Sequence, residues 1–142
     1  MTKLTLEQAS LIVDTALATA NKMKLKPMSV IVLDDGGHVI AFKKQDNSSL
    51  MRFEIAFGKA WGSLGIGRPS GVIAQMAEER PHFVASLMAA SGGRIVPVQG
   101  GVLIRSADGA ILGAVGVTGD TSQNDEACAV AGIKAAGLQP EA

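Results

Sequence analysis

Two short turns constrain the fold of this chain more than any other feature. Asp34-Asp-Gly-Gly separates the β-branched run Ser29–Leu33 from the run Val39–Phe42, and Ala107-Asp-Gly separates Gly101–Ile104 from Ala110–Val117. Glycine supplies the positive φ of a tight hairpin, and aspartate caps such a turn through its own side chain. Each turn therefore ties an antiparallel pair, and helical segments lie between the pairs. The predicted order is α-β-β-α-α-α-β-β-β-α. It specifies an α+β fold on an antiparallel sheet, not a parallel dinucleotide-binding sheet.

The helices carry their own signals. Thr5-Leu-Glu-Gln forms a capping box, and Ala9, Ile12, Val13, Ala16, Leu17, Ala20 and Met23 recur at helical spacing, so helix 1 runs to about Lys24. Ser48 or Ser49 is expected to cap a second helix carrying Phe53, Ala56, Ala60 and Trp61. Its Gly58 and Gly62, four apart, predict close packing. Ser70 is expected to cap a shorter helix through Met76 and Ala77, and Pro81 to begin another with Phe83, Val84, Leu87 and Met88 inward. Ile95-Val-Pro-Val is read as an edge strand because of Pro97. The last helix begins near Thr121 or Ser122 and ends at Gly137.

The 142 residues suit one domain spanning 1–142, and 47% apolar against 18% charged residues makes it globular. The formal net charge is zero and the longest basic run is Lys43–Lys44, which excludes the footprint of a nucleic-acid binder. Low net charge tolerates association, and an oligomer is predicted. No apolar run approaches the roughly 20 residues of a membrane span. The opening MTKLTLEQ has no apolar signal-peptide core, so a cytoplasmic location is expected. One cysteine, Cys128, excludes an internal disulfide and a CxxC zinc site.

Few groups carry chemistry. GIGRPSG (Gly65–Gly71) lacks the lysine of a phosphate loop and reads as a connector. GDTSQNDE (Gly119–Glu126) lacks calcium-loop spacing and reads as a helix start, with Ser122 capping and Asp125 and Glu126 facing the dipole. No G-x-S-x-G marks a serine nucleophile. Cys128 sits among alanines as a small apolar residue, although a nearby helix N-terminus leaves a reactive thiol open. Three glycine pairs, Gly36–Gly37, Gly92–Gly93 and Gly100–Gly101, expose backbone N–H groups. With Arg52, Lys59 and Arg94 they would suit a carboxylate-bearing ligand, Asp120 or His38 moving a proton. Taken singly, hairpin geometry and solvated cations explain each of them. With no tyrosine, an iron-bound macrocycle could use only His38, His82, Cys128, a methionine, a lysine or a weak oxygen donor.

PMSVIVLDDGGHVIAF (Pro27–Phe42), AFGKAWG (Ala56–Gly62) and VQGGVLIRSADGAILGAVGVTGDTSQNDEACAVAG (Val98–Gly132) together resemble the GlcG/HbpS (DUF336) family, which is related to the C-terminal domain of PduO-type corrinoid adenosyltransferases. The resemblance covers nearly the whole chain. It implies a profilin/roadblock-like sandwich, a five-stranded antiparallel sheet flanked by helices, assembled as dimers up to octamers. It implies haem (tetrapyrrole) binding in a storage, sensing or accessory role in a catabolic operon. His38, inside the shared D-x-G-G-H segment, is the metal ligand this implies. His82 ranks second, and Thr118 or Thr121 would serve as a weak oxygen donor. Met51, Phe53 and Trp61 would wall the macrocycle, with Arg52 or Lys59 beside its propionates. The Gly100–Gly101 floor and Asp120 complete the expected binding set. The alternative is a small enzyme or accessory factor acting on a carboxylated metabolite in a Gly-rich, Arg/Lys-lined pocket.

Overall fold

The computed structural model describes residues 2–142. Its elements run α1 (Leu6–Lys22), β1 (Ser29–Asp34), β2 (Val39–Lys44), α2 (Arg52–Ile66), α3 (Ser70–Glu79), α4 (Pro81–Ala90), β3 (Gly101–Arg105), β4 (Ile111–Thr118), α5 (Ser122–Ala135) and β5 (Gln139–Glu141). The strands form one antiparallel sheet in the order β2-β1-β4-β3-β5. This is the α+β sandwich that the two hairpins predict. Among the described residues no helix is long and apolar enough to cross a membrane.

Side chains alternate along each strand and so supply two cores. Val30, Val32, Val102, Ile104, Val115 and Val117 face α1 and α5. Ile31, Leu33, Leu103 and Ala114 face α2. The capping box of Thr5 and Gln8 starts α1 as expected, and Thr121, rather than Ser122, caps α5 by accepting the Asn124 N–H.

Three local expectations are corrected. Ile95–Val98 is not a strand: Val96 donates its N–H to the Gly58 carbonyl at 3.2 Å, so the segment lies on α2, and Pro97 has no N–H to offer a sheet. The fifth strand is instead β5, paired to β3 and pinned by Arg105 to Glu141 at 2.7 Å. Neither Ser48 nor Ser49 caps α2, whose N-cap is Met51 and makes no side-chain bond. Ser70 is the first residue of α3, and its hydroxyl accepts the Gly101 N–H at 2.6 Å, fastening α3 to β3.

Helix α2 sits unusually low on the sheet. Gly101 and Gly116 are opposite one another on β3 and β4, and neither has a side chain to hold the helix off. A Cβ on Gly116 would lie 2.0 Å from the Ala56 carbonyl oxygen, and one on Gly101 would lie 2.3 Å from that of Lys59. The helix backbone thus rests on the sheet backbone. On the outer flank, a Cβ on Gly58 would lie 2.3 Å from Val96 Cγ2, so the Gly58/Gly62 spacing does serve close packing.

We predict that Gly116→Ala lowers stability by about 2–3 kcal/mol in urea unfolding, because backbone must shift. Gly65→Ala, on the same helix, meets nothing nearer than Trp61 at 3.6 Å. It should raise stability by roughly 0.5–1 kcal/mol by restricting the unfolded chain.

Candidate functional site

With its inner face fixed on the sheet, α2 presents two different flanks. Phe53, Phe57 and Trp61 recur every four residues and share one flank. Phe53 meets Phe42 of β2 edge-to-face at 5.0 Å between centroids and stacks with Phe57 at 6.1 Å. Phe53 remains 41% exposed and Met51 61% exposed, so this aromatic surface is open to a ligand. Beside it runs a groove of about 260 Å³ between α2 and the Gly93–Val96 segment, walled by Met51, Phe53, Ile55, Phe57 and Val96, with Glu54 and Arg94 as its charged groups. The Arg94 guanidinium stacks on the Trp61 ring at 4.2 Å, and its Nε donates to the Ser91 carbonyl at 2.8 Å.

The far end of the same flank meets the β1–β2 turn. A Cβ on Gly37 would lie 3.0 Å from Trp61 Cδ1, which places the turn against the indole. His38 comes next in the chain, and its side chain is 81% exposed. Asp34 Oδ1 accepts the backbone N–H groups of Gly36 at 2.9 Å and His38 at 3.0 Å, and it lies 3.2 Å from His38 Nδ1. An ionised carboxylate only accepts, so in the neutral ring the proton belongs on Nδ1, which assigns the free lone pair to Nε2. Burial raises the Asp34 pKa, but those N–H groups and the imidazole outweigh it and hold the carboxyl below its ordinary range. Gly36 makes the arrangement feasible: a Cβ there would lie 2.9 Å from His38 Cε1.

The opposite flank is polar and closed. The Lys59 ammonium donates to Asp125 Oδ2 at 3.1 Å and to the Val117 carbonyl at 2.9 Å, and both side chains of the pair are 2% exposed. Burial drives the Lys59 pKa down, with the nearby Arg52 charge adding to it, and burial drives that of Asp125 up; each partner opposes the other's shift. Asp125 Oδ1 accepts the Asp120 N–H, which joins the pair to the α5 N-terminus. Arg52 donates to the Thr118 hydroxyl at 2.7 Å and to Ser49. Opposite Thr118 on β1 stands Ser29, whose buried hydroxyl has no partner among the described residues.

A model of the HbpS-like family, described as "Haem degrading protein HbpS-like", matches residues 4–134. The chain belongs to the HbpS-like family. No curated protein matches it. The HbpS-like chain superposes on the PduOC:heme complex with a TM-score of 0.88 at 20% identity, covering 99% of this chain and 100% of that one. A double mutant of Streptomyces reticuli HbpS gives 0.80 at 25% identity, over 94% and 87% of the two chains. The Klebsiella pneumoniae protein ORFY gives 0.85 at 22% identity, over 96% and 93%.

Within this HbpS-like chain, the residues singled out from the sequence fall into two groups. Arg52, Lys59, Gly100, Gly101, Thr118 and Asp120 gather on the polar flank of α2. A Cβ on Gly100 would lie 2.8 Å from Lys59 Nζ. His38 stands at the other end of β1, roughly 17 Å away at ~3.3 Å per strand residue. His82 is exposed in the first turn of α4 and meets neither group. Thr121 is occupied as the α5 cap. Lys59 is therefore an internal cation and not a solvated one beside an aromatic wall. Asp125, read as a dipole complement, is its partner. Phe57 was missed, although Phe53-x₃-Phe57-x₃-Trp61 is a helical stripe visible in sequence. Cys128 is fully buried, and burial, with the Asp125 and Asp120 charges adding, pushes its thiol up to about 11, which disfavours the thiolate a reactive cysteine needs.

Breaking the buried pair strands a charge. Asp125→Asn should cost about 3–5 kcal/mol, and a Lys59→Met/Asp125→Leu double variant should recover most of it in urea unfolding. Asp120 accepts N–H groups from Lys26, Thr121 and Asn124, which lower its pKa to about 2. A depressed carboxyl stabilises the fold above its unfolded pKa of about 3.9 and loses that contribution as pH falls through its folded value. Stability curves of wild type and Asp120→Ala should therefore differ above pH ~4 and draw together toward pH ~2.

Proposed function

We propose that this chain binds haem, or a closely related metallo-tetrapyrrole, on the aromatic flank of α2, with His38 as the axial ligand. The observation that carries this is the presentation of His38: an exposed imidazole, proton-fixed at Nδ1 by Asp34, offering Nε2 at the edge of a Trp61–Phe57–Phe53 surface. A carboxylate behind a histidine is the usual way a ligating imidazole is oriented and made more basic. The residues fit the group, since a flat apolar macrocycle needs aromatic area and one nitrogen donor. Bound haem would supply a redox-active iron whose behaviour the axial ligand tunes. The name of the family and the heme complex of a structural relative support the choice of ligand.

The open outer side of the groove, with Leu50 at 95% exposure and Met51 beside it, favours an assembly in which a second copy covers the ligand. We place the protein in a storage, sensing or accessory role around that ligand.

A carboxylated metabolite is the second candidate ligand. The buried, unpartnered Ser29 hydroxyl lies across from Thr118 and Arg52, on a flank where two cations face one buried carboxylate. An organic acid that raised the melting temperature at constant ionic strength, and failed to do so with Arg52→Gln, would favour it.

Haemin titration decides between them. Wild type should saturate at a fixed stoichiometry with a sharp Soret band in both iron states. His38→Ala should shift that band and weaken binding at least tenfold, while His82→Ala leaves both unchanged. A broad, unsaturable response indifferent to His38 would contradict the proposal.

A further inference from the structure

Resting on the tetrapyrrole reading above, we propose that Arg94 is the carboxylate clamp of the site, so that the ligand must carry free carboxylate side chains. Nothing in residue type or spacing favours Arg94 over Arg52 or Lys59; their positions do. Lys59 is 2% exposed and bonded to Asp125, and Arg52 directs Nε and one terminal nitrogen to Ser49 and Thr118 on the polar flank. Arg80 lies over Phe83 on α4. Arg94 alone among these lines the aromatic groove.

Its side chain is already set for a partner. The guanidinium lies flat on Trp61 at 4.2 Å, and Nε is fixed by the Ser91 carbonyl. Among the described residues no carboxylate lies within salt-bridge distance of Arg94, and no acceptor engages its terminal nitrogens. The two terminal N–H groups of a stacked guanidinium match the two oxygens of a carboxylate, and the restraint by Trp61 and Ser91 reduces the rotamer freedom lost on binding. The same indole touches the turn that carries His38, so one Trp61 ring connects the iron ligand to the clamp. Glu54 lines the same groove and opposes a carboxylate on its own side, which leaves Arg94 as the one cation there.

The test compares haemin with haemin dimethyl ester, delivered from the same dimethyl sulfoxide stock, on wild type, Arg94→Gln and His38→Ala. Wild type should bind the free acid at least tenfold more tightly than the ester. Arg94→Gln should bring the ratio of acid to ester affinity to about one with the Soret maximum unchanged; loss of the Trp61 stacking and the Ser91 bond lowers its melting temperature, so both titrations are run well below that temperature. His38→Ala should move the Soret maximum yet keep the preference for the acid. Equal wild-type affinity for acid and ester, or a preference that survives Arg94→Gln, overturns the clamp while the tetrapyrrole site stands. Absence of saturable binding by either compound overturns the site itself, and the clamp with it.

Discussion

The direct seat of α2 on paired glycines is the contact from which the rest of the site is built. Gly101 and Gly116 let the carbonyls of Lys59 and Ala56 come down onto β3 and β4. A helix held that close cannot roll, because each neighbouring residue is then committed to a flank. Turning ~100° per residue, α2 sends Lys59 and Arg52 toward the end of β4 and sends Phe53, Phe57 and Trp61 toward β2. Gly58 and Gly62, further round, admit the Arg94–Val96 backbone as a second wall. The aromatic residues are thus left on their own flank because Arg52, Lys59, Gly58 and Gly62 of the same helix are engaged elsewhere.

The Lys59–Asp125 pair locks this arrangement. Two charges taken out of water gain little net energy, yet they tolerate only the geometry in which they meet. Lys59 belongs to α2, Val117 to β4 and Asp125 to α5, so three elements on both faces of the sheet are held in one register. Asp120 extends the network to the loop after α1 through the Lys26 N–H. Under the proposed reading, this rigidity preorganises a ligand surface that is only half enclosed.

Much of the frame was legible in the sequence. Turn chemistry at Asp34–Gly37 and Ala107–Gly109, the Thr5 capping box and Pro81 are short-range signals, and each produced the element expected from it. Ile95–Val98 misled because its β-branched residues pack on Gly58 and Gly62 of a helix, a long-range partner that local propensity does not contain. β5 was missed for the converse reason: Gln139-Pro-Glu has no strand character, and pairing with β3 alone makes it a strand. The position of His38 in the β1–β2 turn was legible from its motif, but the expectation that Arg52 or Lys59 lies beside the aromatic residues was not met, since both sit on the opposite flank of α2. Treating Arg52, Lys59 and Arg94 as one positive set ignored that the first two are seven apart on a helix and the third lies on the segment crossing it. Asp125 as a buried partner could not be read from spacing, since 66 residues separate it from Lys59.

A tetrapyrrole lying on the aromatic flank of α2, between His38 and Arg94, would be seen most directly by a nuclear magnetic resonance titration with a diamagnetic analogue, gallium protoporphyrin. The signals to follow are the Trp61 indole N–H, the His38 ring nitrogens and the backbone amides. Binding at this site predicts the largest changes at Trp61, at His38 Nε2 and along Arg94–Val96, with the amides of α1 and α5 unmoved. Changes centred on α4 around His82, or on the α1–α5 face, would contradict it.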